Sequence, residues 1–144
     1  MSKRIMFLVA TVLFAISSFA ADRVITYDQL PQNAKKFIEK YFSTSKTAYV
    51  SYDPEIFDSS YSVTFVSGDA IEFDSKGQWK EVKCVALAMP QDLIPTNVQP
   101  YLNANLPEVA VKKIEKNKRG VELTLANGME LKFNNEGAII EIDD

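Results

Sequence analysis

One pattern of residues is written twice along this chain. Leu30-Pro31 precedes the run Phe37-Ile38-Glu39-Lys40-Tyr41-Phe42, and Ile94-Pro95 precedes Tyr101-Leu102-Asn103-Ala104-Asn105-Leu106. Tyr61-Ser62-Val63-Thr64-Phe65 is answered by Val121-Glu122-Leu123-Thr124-Leu125, and the stretch from Gly68 to Gly77 by that from Gly128 to Gly137. Trp79-Lys80-Glu81-Val82 is answered by Ile139-Ile140-Glu141-Ile142. The copies lie 64 positions apart at the helix and 60 in these later segments, so the first holds four extra residues, in the loop with Asp53, Glu55 and Asp58. A duplicated unit constrains architecture more than local propensity does, because each copy must bury its apolar face against shared structure.

The N-terminal residues read as an address. Lys3 and Arg4 precede the apolar stretch Ile5 to Ile16, and Ser18-Phe19-Ala20 offers small residues for cleavage after Ala20. The stretch is shorter than the roughly 20 residues a membrane span needs. The expected organisation is a signal peptide over residues 1–20, a first unit over 21–85 and a second over 86–144. Export leaves the chain periplasmic or secreted, with no membrane insertion after cleavage. Units of about 60 residues are marginal alone, which predicts a shared core or a continuous sheet.

Without Lys3 and Arg4 the 16 basic groups fall to 14 against 19 acidic, a net charge of −5. An acidic chain without a basic stripe argues against nucleic acid, whose binding rests on neutralising phosphates. Cys84 is the one cysteine, so no intramolecular disulfide can form, and burial of the thiol is expected. Histidine is absent, which removes the commonest general base and the commonest metal ligand.

Apolar periodicity places an amphipathic helix of about three turns after Pro31, with Ala34, Phe37, Ile38, Tyr41 and Phe42 on one face. A second helix carries Val98, Tyr101, Leu102 and Leu106, with Asn97 as its N-cap so that Pro100 falls in the first turn. Four strand-like segments follow each helix. They are 46–52, 60–66, 69–74 and 78–85, then 109–116, 120–126, 129–133 and 138–142. Ser67-Gly68, Asn127-Gly128 and the loops closing on Gly77 and Gly137 carry hairpin chemistry.

The fold class is therefore α+β. Two tandem repeats, each a helix followed by a four-stranded antiparallel meander, form one curved sheet with the helices on one face. Alternation directs Val63, Phe65, Ile71, Phe73, Val82, Cys84, Leu123, Leu125, Leu131, Phe133, Ile140 and Ile142 towards the helices. The opposite face is polar, with Tyr49, Trp79 and Ile139 as apolar exceptions beside Glu81 and Lys83.

The Leu-Pro helix, the segment Gly68-Asp69-Ala70-Ile71-Glu72-Phe73-Asp74, the hairpin Asp74-Ser75-Lys76-Gly77-Gln78-Trp79 and the closing Glu81-Val82-Lys83-Cys84 resemble the PepSY-like family of small exported bacterial proteins. The resemblance covers residues 22–144. It implies a fold similar to beta-lactamase inhibitory protein and a protein-binding or inhibitory role through the open sheet face. It carries over no individual binding residue.

Catalytic chemistry finds little support. Asp53, Glu55 and Asp58 lack calcium-loop spacing and are expected to be solvated. Asp69 and Asp74 sit where turns require Asp, which argues against an acid–base set with Glu72. Ser43-Thr44-Ser45-Lys46 matches the letters of a Ser-x-x-Lys motif but lacks its partner motifs. Lys112, Lys113, Lys116, Lys118 and Arg119 are interleaved with Glu108, Glu115 and Glu122, as in a solvated hairpin.

The sequence thus predicts a non-enzymatic binding module without cofactor, metal or catalytic residues. Its partner would be an envelope or secreted protein or peptide, docked on the open face through Trp79, Tyr49, Glu81, Lys83 and Ile139. For Trp79 two readings stand side by side, an interface anchor and a packing residue. A hydrolytic enzyme using carboxylates or serine, and a self-associating envelope protein, are the alternatives.

Overall fold

The computed structural model describes residues 22–144, so the expected signal peptide lies outside the described residues. Nine antiparallel strands form one open sheet in strict sequence order. They are β1 (Arg23–Ile25), β2 (Thr47–Asp53), β3 (Ser60–Phe65), β4 (Ala70–Asp74), β5 (Trp79–Lys83), β6 (Val111–Asn117), β7 (Gly120–Leu125), β8 (Glu130–Asn134) and β9 (Ile139–Asp143). Helix α1 (Gln32–Tyr41) lies between β1 and β2, and α2 (Gln99–Asn105) between β5 and β6. Single 3₁₀ turns, Tyr27–Gln29 and Gln91–Leu93, lead into the two helices. The fold class is α+β, as expected.

Eight strands were expected and nine are found. The additional strand, Arg23-Val24-Ile25, pairs along the outer edge of β2 through Arg23–Tyr52, Val24–Ser51 and Ile25–Val50. Three residues are too few to show alternation, so the segment carries no periodic signal. Helix α2 is capped at Val98 and not at Asn97, with Pro100 still inside the first turn, where a missing N–H costs little. Asn97 instead donates its side-chain amide to the Asn135 carbonyl at 3.1 Å.

One register row explains where the core sits. Val50, Val63, Ile71, Val82, Ile114, Leu123 and Leu131 face one another across seven consecutive strands, and all seven are buried. Because side chains alternate along a strand, this row defines a single face. Both helices cover it. Phe42 of the α1 C-cap stacks on Phe65 at 5.1 Å, Phe37 meets Phe73 edge-on at 5.7 Å, and Tyr101 meets Phe133 edge-on at 5.4 Å. These residues belong to one continuous hydrophobic core.

The row ends at β9, where Ile142 is paired with Leu131 but half-exposed. Among the described residues, no strand or helix covers that edge. The expectation that Ile140 and Ile142 both meet the helices is therefore corrected: Ile140 is 59% and Ile142 51% exposed.

Two glycines bring the hairpins against the helix starts. Gly77 and Gly137 both have φ of +84°, and a Cβ would lie 2.8 Å from the Pro31 Cβ and 2.5 Å from the Asn97 carbonyl oxygen respectively. Glycine is required there twice over, for backbone conformation and for close approach. Cys84 is 1% exposed and unpaired, its sulfur 4.0 Å from that of Met89. Burial pushes its thiol up to about 11, with Asp69 adding to the effect. Such a thiol is inert at neutral pH.

Candidate binding surface

Opposite the helices, no strand or helix among the described residues covers the sheet. The central row of that face reads Ser62, Glu72, Glu81, Glu115, Glu122, Lys132 and Glu141, each directly opposite the next. A parallel row reads Tyr49, Thr64, Ala70, Lys83, Lys113, Thr124 and Glu130. Four glutamates therefore stand side by side on β4, β5, β6 and β7. Like charges directly opposite one another destabilise a sheet by a few tenths to about 1 kcal/mol per pair.

Lysines offset part of this repulsion. Lys113 reaches Glu81 at 3.3 Å, Lys132 reaches Glu141 at 3.1 Å, and Lys80 lies 3.2 Å from Asp58 and 3.8 Å from Glu72. Among the described residues, no Lys or Arg comes within ion-pair distance of Glu115 or Glu122. Burial pushes the Glu72 carboxyl above the ordinary value. Lys80 opposes that rise, while Glu81, Glu115 and Asp58 add to it. Partial burial lowers the Lys113 ammonium, but Glu81 outweighs it and raises the group overall.

The residues expected on this face divide. Tyr49, 52% exposed, Glu81 and Lys83 lie on it. Trp79 and Ile139 do not. Trp79 is paired with Phe73, lies 6.2 Å from the Phe37 ring of α1, and carries the Lys116 Nζ 3.8 Å above its indole. Ile139 is paired with Phe133 and packs on the core. Both expectations of open-face placement are corrected, and β-bulges are the cause. Lys80 in β5 and Ile140 in β9 are extra residues, so each strand changes face parity beside its turn. The missed signal was the 60-residue spacing itself: an apolar side chain at both 79 and 139 marks a core position in each copy.

Other candidates disperse. Asp69 turns to backbone N–H groups, Asp74 accepts from Lys76 and Gln78 N–H within its own turn, and Glu72 stands on the open face. Among the described residues, no three Asp, Glu, His or Cys side chains are grouped to hold a metal ion, and Asp58 is engaged by Lys80. No described helix is long and apolar enough to cross a membrane. Ile56 and Phe57, which no periodic signal marks, are 91% and 99% exposed at the tip of the β2–β3 hairpin.

The profile of the family described as "Putative beta-lactamase-inhibitor-like, PepSY-like" matches residues 59–141. The chain belongs to the PepSY-like family. Solved structures extend the likeness. A "putative periplasmic protein" from Bacteroides vulgatus is 40% identical, with 85% of this chain and 97% of that chain covered and a TM-score of 0.81. A "putative calcium-regulated periplasmic protein" from Bacteroides thetaiotaomicron is also 40% identical, with the same coverage and a TM-score of 0.80. A second Bacteroides vulgatus protein, a "putative periplasmic protein of unknown function", is 36% identical over 86% of this chain and 100% of that one, with a TM-score of 0.80. No curated protein matches the chain. These relatives are described as periplasmic, and this chain shares that compartment.

Proposed function

We propose that this PepSY-like protein is an exported, non-enzymatic binding module whose open sheet face docks a protein or peptide bearing basic groups. The observation that supports this reading is the row Glu72, Glu81, Glu115 and Glu122 on four adjacent central strands. Stability alone favours alternating charges there. A row of acids retained against that preference fits a surface completed by cations from a partner. Tyr49 and Lys83, on the neighbouring row, sit where they would flank such a contact.

The same reading takes residues 1–20 as the export signal and residues 21–85 and 86–144 as tandem helix-plus-meander copies that share one curved sheet. It assigns no catalytic role. Asp69 and Asp74 are each held by backbone N–H groups away from Glu72, and histidine is absent, which supports that assignment.

The test is capture from native envelope extract with the immobilised protein, followed by cross-linking of carboxylates to lysines. Cross-links are expected at Glu115 and Glu122, with capture reduced about tenfold or more in a Glu115→Gln, Glu122→Gln variant. Equal capture by that variant, with cross-links confined to the helix side, would reject the open face as the docking surface.

A further inference from the structure

The four extra residues of the first copy all fall in one hairpin. Between the last pair of β2 and β3, Asp53–Ser60, the chain runs through residues 54–59, whereas between Asn117 and Gly120 of β6 and β7 it runs through Lys118 and Arg119 alone. The longer loop lifts Ile56 and Phe57 almost fully into solvent, flanked by Glu55 and Asp58. Two adjacent large apolar side chains at that exposure are out of keeping with a solvated turn.

A groove of about 420 Å³ on the same molecule has the complementary character. Phe37, Tyr41 and Trp79 form its aromatic floor, and Lys36 and Lys40 stand on its rim with one acid, Asp92. Lys116 adds a third cation above the indole. Its size is within the range of sites that accept small apolar groups. Tip and groove also lie at one end of the sheet, since Asp53, Ser60 and Asp74 are register partners there and Trp79 begins β5 at that end. The tip belongs to the open-face side, through the Asp58–Lys80 pair, and the groove to the helix side.

We infer that the occupant of the groove is the Ile56–Phe57 tip of a second copy of this chain. The apolar pair enters against Trp79 and Phe37, and Glu55, the tip acid not held by Lys80, meets Lys36 and Lys40. With both halves of the contact at one end, a two-fold axis lets each copy insert its tip into the other, a closed isologous pair. This contact uses neither Glu115 nor Glu122, so it stands or falls independently of the open-face reading.

Trp79 is the single tryptophan, so its emission reports the groove directly. Sedimentation of the purified protein should give a mass rising to two chains with concentration, accompanied by a shift of Trp79 emission. Ile56→Ser with Phe57→Ser, both at exposed positions, should leave the melt unchanged while weakening association about tenfold or more. Lys40→Glu should also weaken it, and an equimolar mixture of Lys40→Glu and Glu55→Lys chains should restore pairing, because each mutant pairs poorly with itself.

A single-chain mass and constant emission up to about 1 mM would overturn the inference. A dimer that survives the tip substitutions would do the same. Titration with phosphatidylcholine–phosphatidylglycerol vesicles is run in parallel. Tip-dependent vesicle binding by a monomeric chain would assign Ile56 and Phe57 to a lipid surface and reject the second copy.

Discussion

Asp69 shows how one residue can be buried, charged and structural. It is fully buried, yet its carboxylate accepts N–H groups from Val85 at 2.6 Å and Ala86 at 2.9 Å and the Ser67 hydroxyl at 2.9 Å. Burial opposes ionisation, but the hydrogen bonds from Ala86, Ser67 and Val85 outweigh it and hold the carboxyl below its ordinary 3.8. A folded-state value below the unfolded one means that the stabilisation is complete above pH 3.8 and is lost as pH falls through the lowered value. Glu72 works in the opposite sense: its raised folded value penalises the native state when ionised, and that penalty fades on acidification. Asp69→Ala should cost about 3 kcal/mol in a urea melt at neutral pH, since it strands buried N–H donors. It should also remove the acid loss below pH 3.8. A cost under about 0.5 kcal/mol, the scale of a neutral surface change, would contradict this role. The sequence marked Asp69 as a turn residue, and nothing local to it foretold that its acceptors would close on residues 85 and 86.

Among the elements, α1, α2 and strands β2 to β9 were legible because each carries an apolar period. The faces of β5 and β9 beside their turns were not. A single inserted residue in each strand reverses parity, and alternation read through Lys80 or Ile140 points the wrong way. The consequence falls on Trp79, which the bulge turns from the open face to the α1 side. Trp79→Ala should therefore lower stability by about 3 kcal/mol, the lower end for truncating a packed aromatic, since the ring is only partly buried. Thermal and urea melts of the variant check this directly. A loss below about 1 kcal/mol would instead describe a ring contributing little to the fold. Edge strands are the other illegible element, because β1 is too short to carry a pattern and β9 exposes the side chains its period assigns to the core.

For the whole molecule, the seam between β5 and β6 decides whether residues 22–85 and 86–144 are separable. Val82 faces Ile114 there and both are fully buried, while the Cys84 N–H donates to the Lys112 carbonyl at 2.8 Å. Residues 22–85 alone would leave β5 as an uncovered edge, and a unit of this size buries too little to compensate. They should show no cooperative melt; a transition near that of the full chain would make the halves independent domains. The α+β class and the antiparallel sheet were legible in the sequence in advance. The sequence could not reveal which surface carries function, because the acidic row arises only when β5 pairs with β6 and sets Glu81 against Glu115. The central claim is that this row is kept for binding at the expense of stability, and a thermal melt of the Glu115→Gln, Glu122→Gln variant tests it most directly. Relief of cross-strand repulsion worth about 1 kcal/mol should raise Tm by about 4 °C. A Tm lowered by a similar amount would mean that the glutamates hold the sheet together, and would contradict the account.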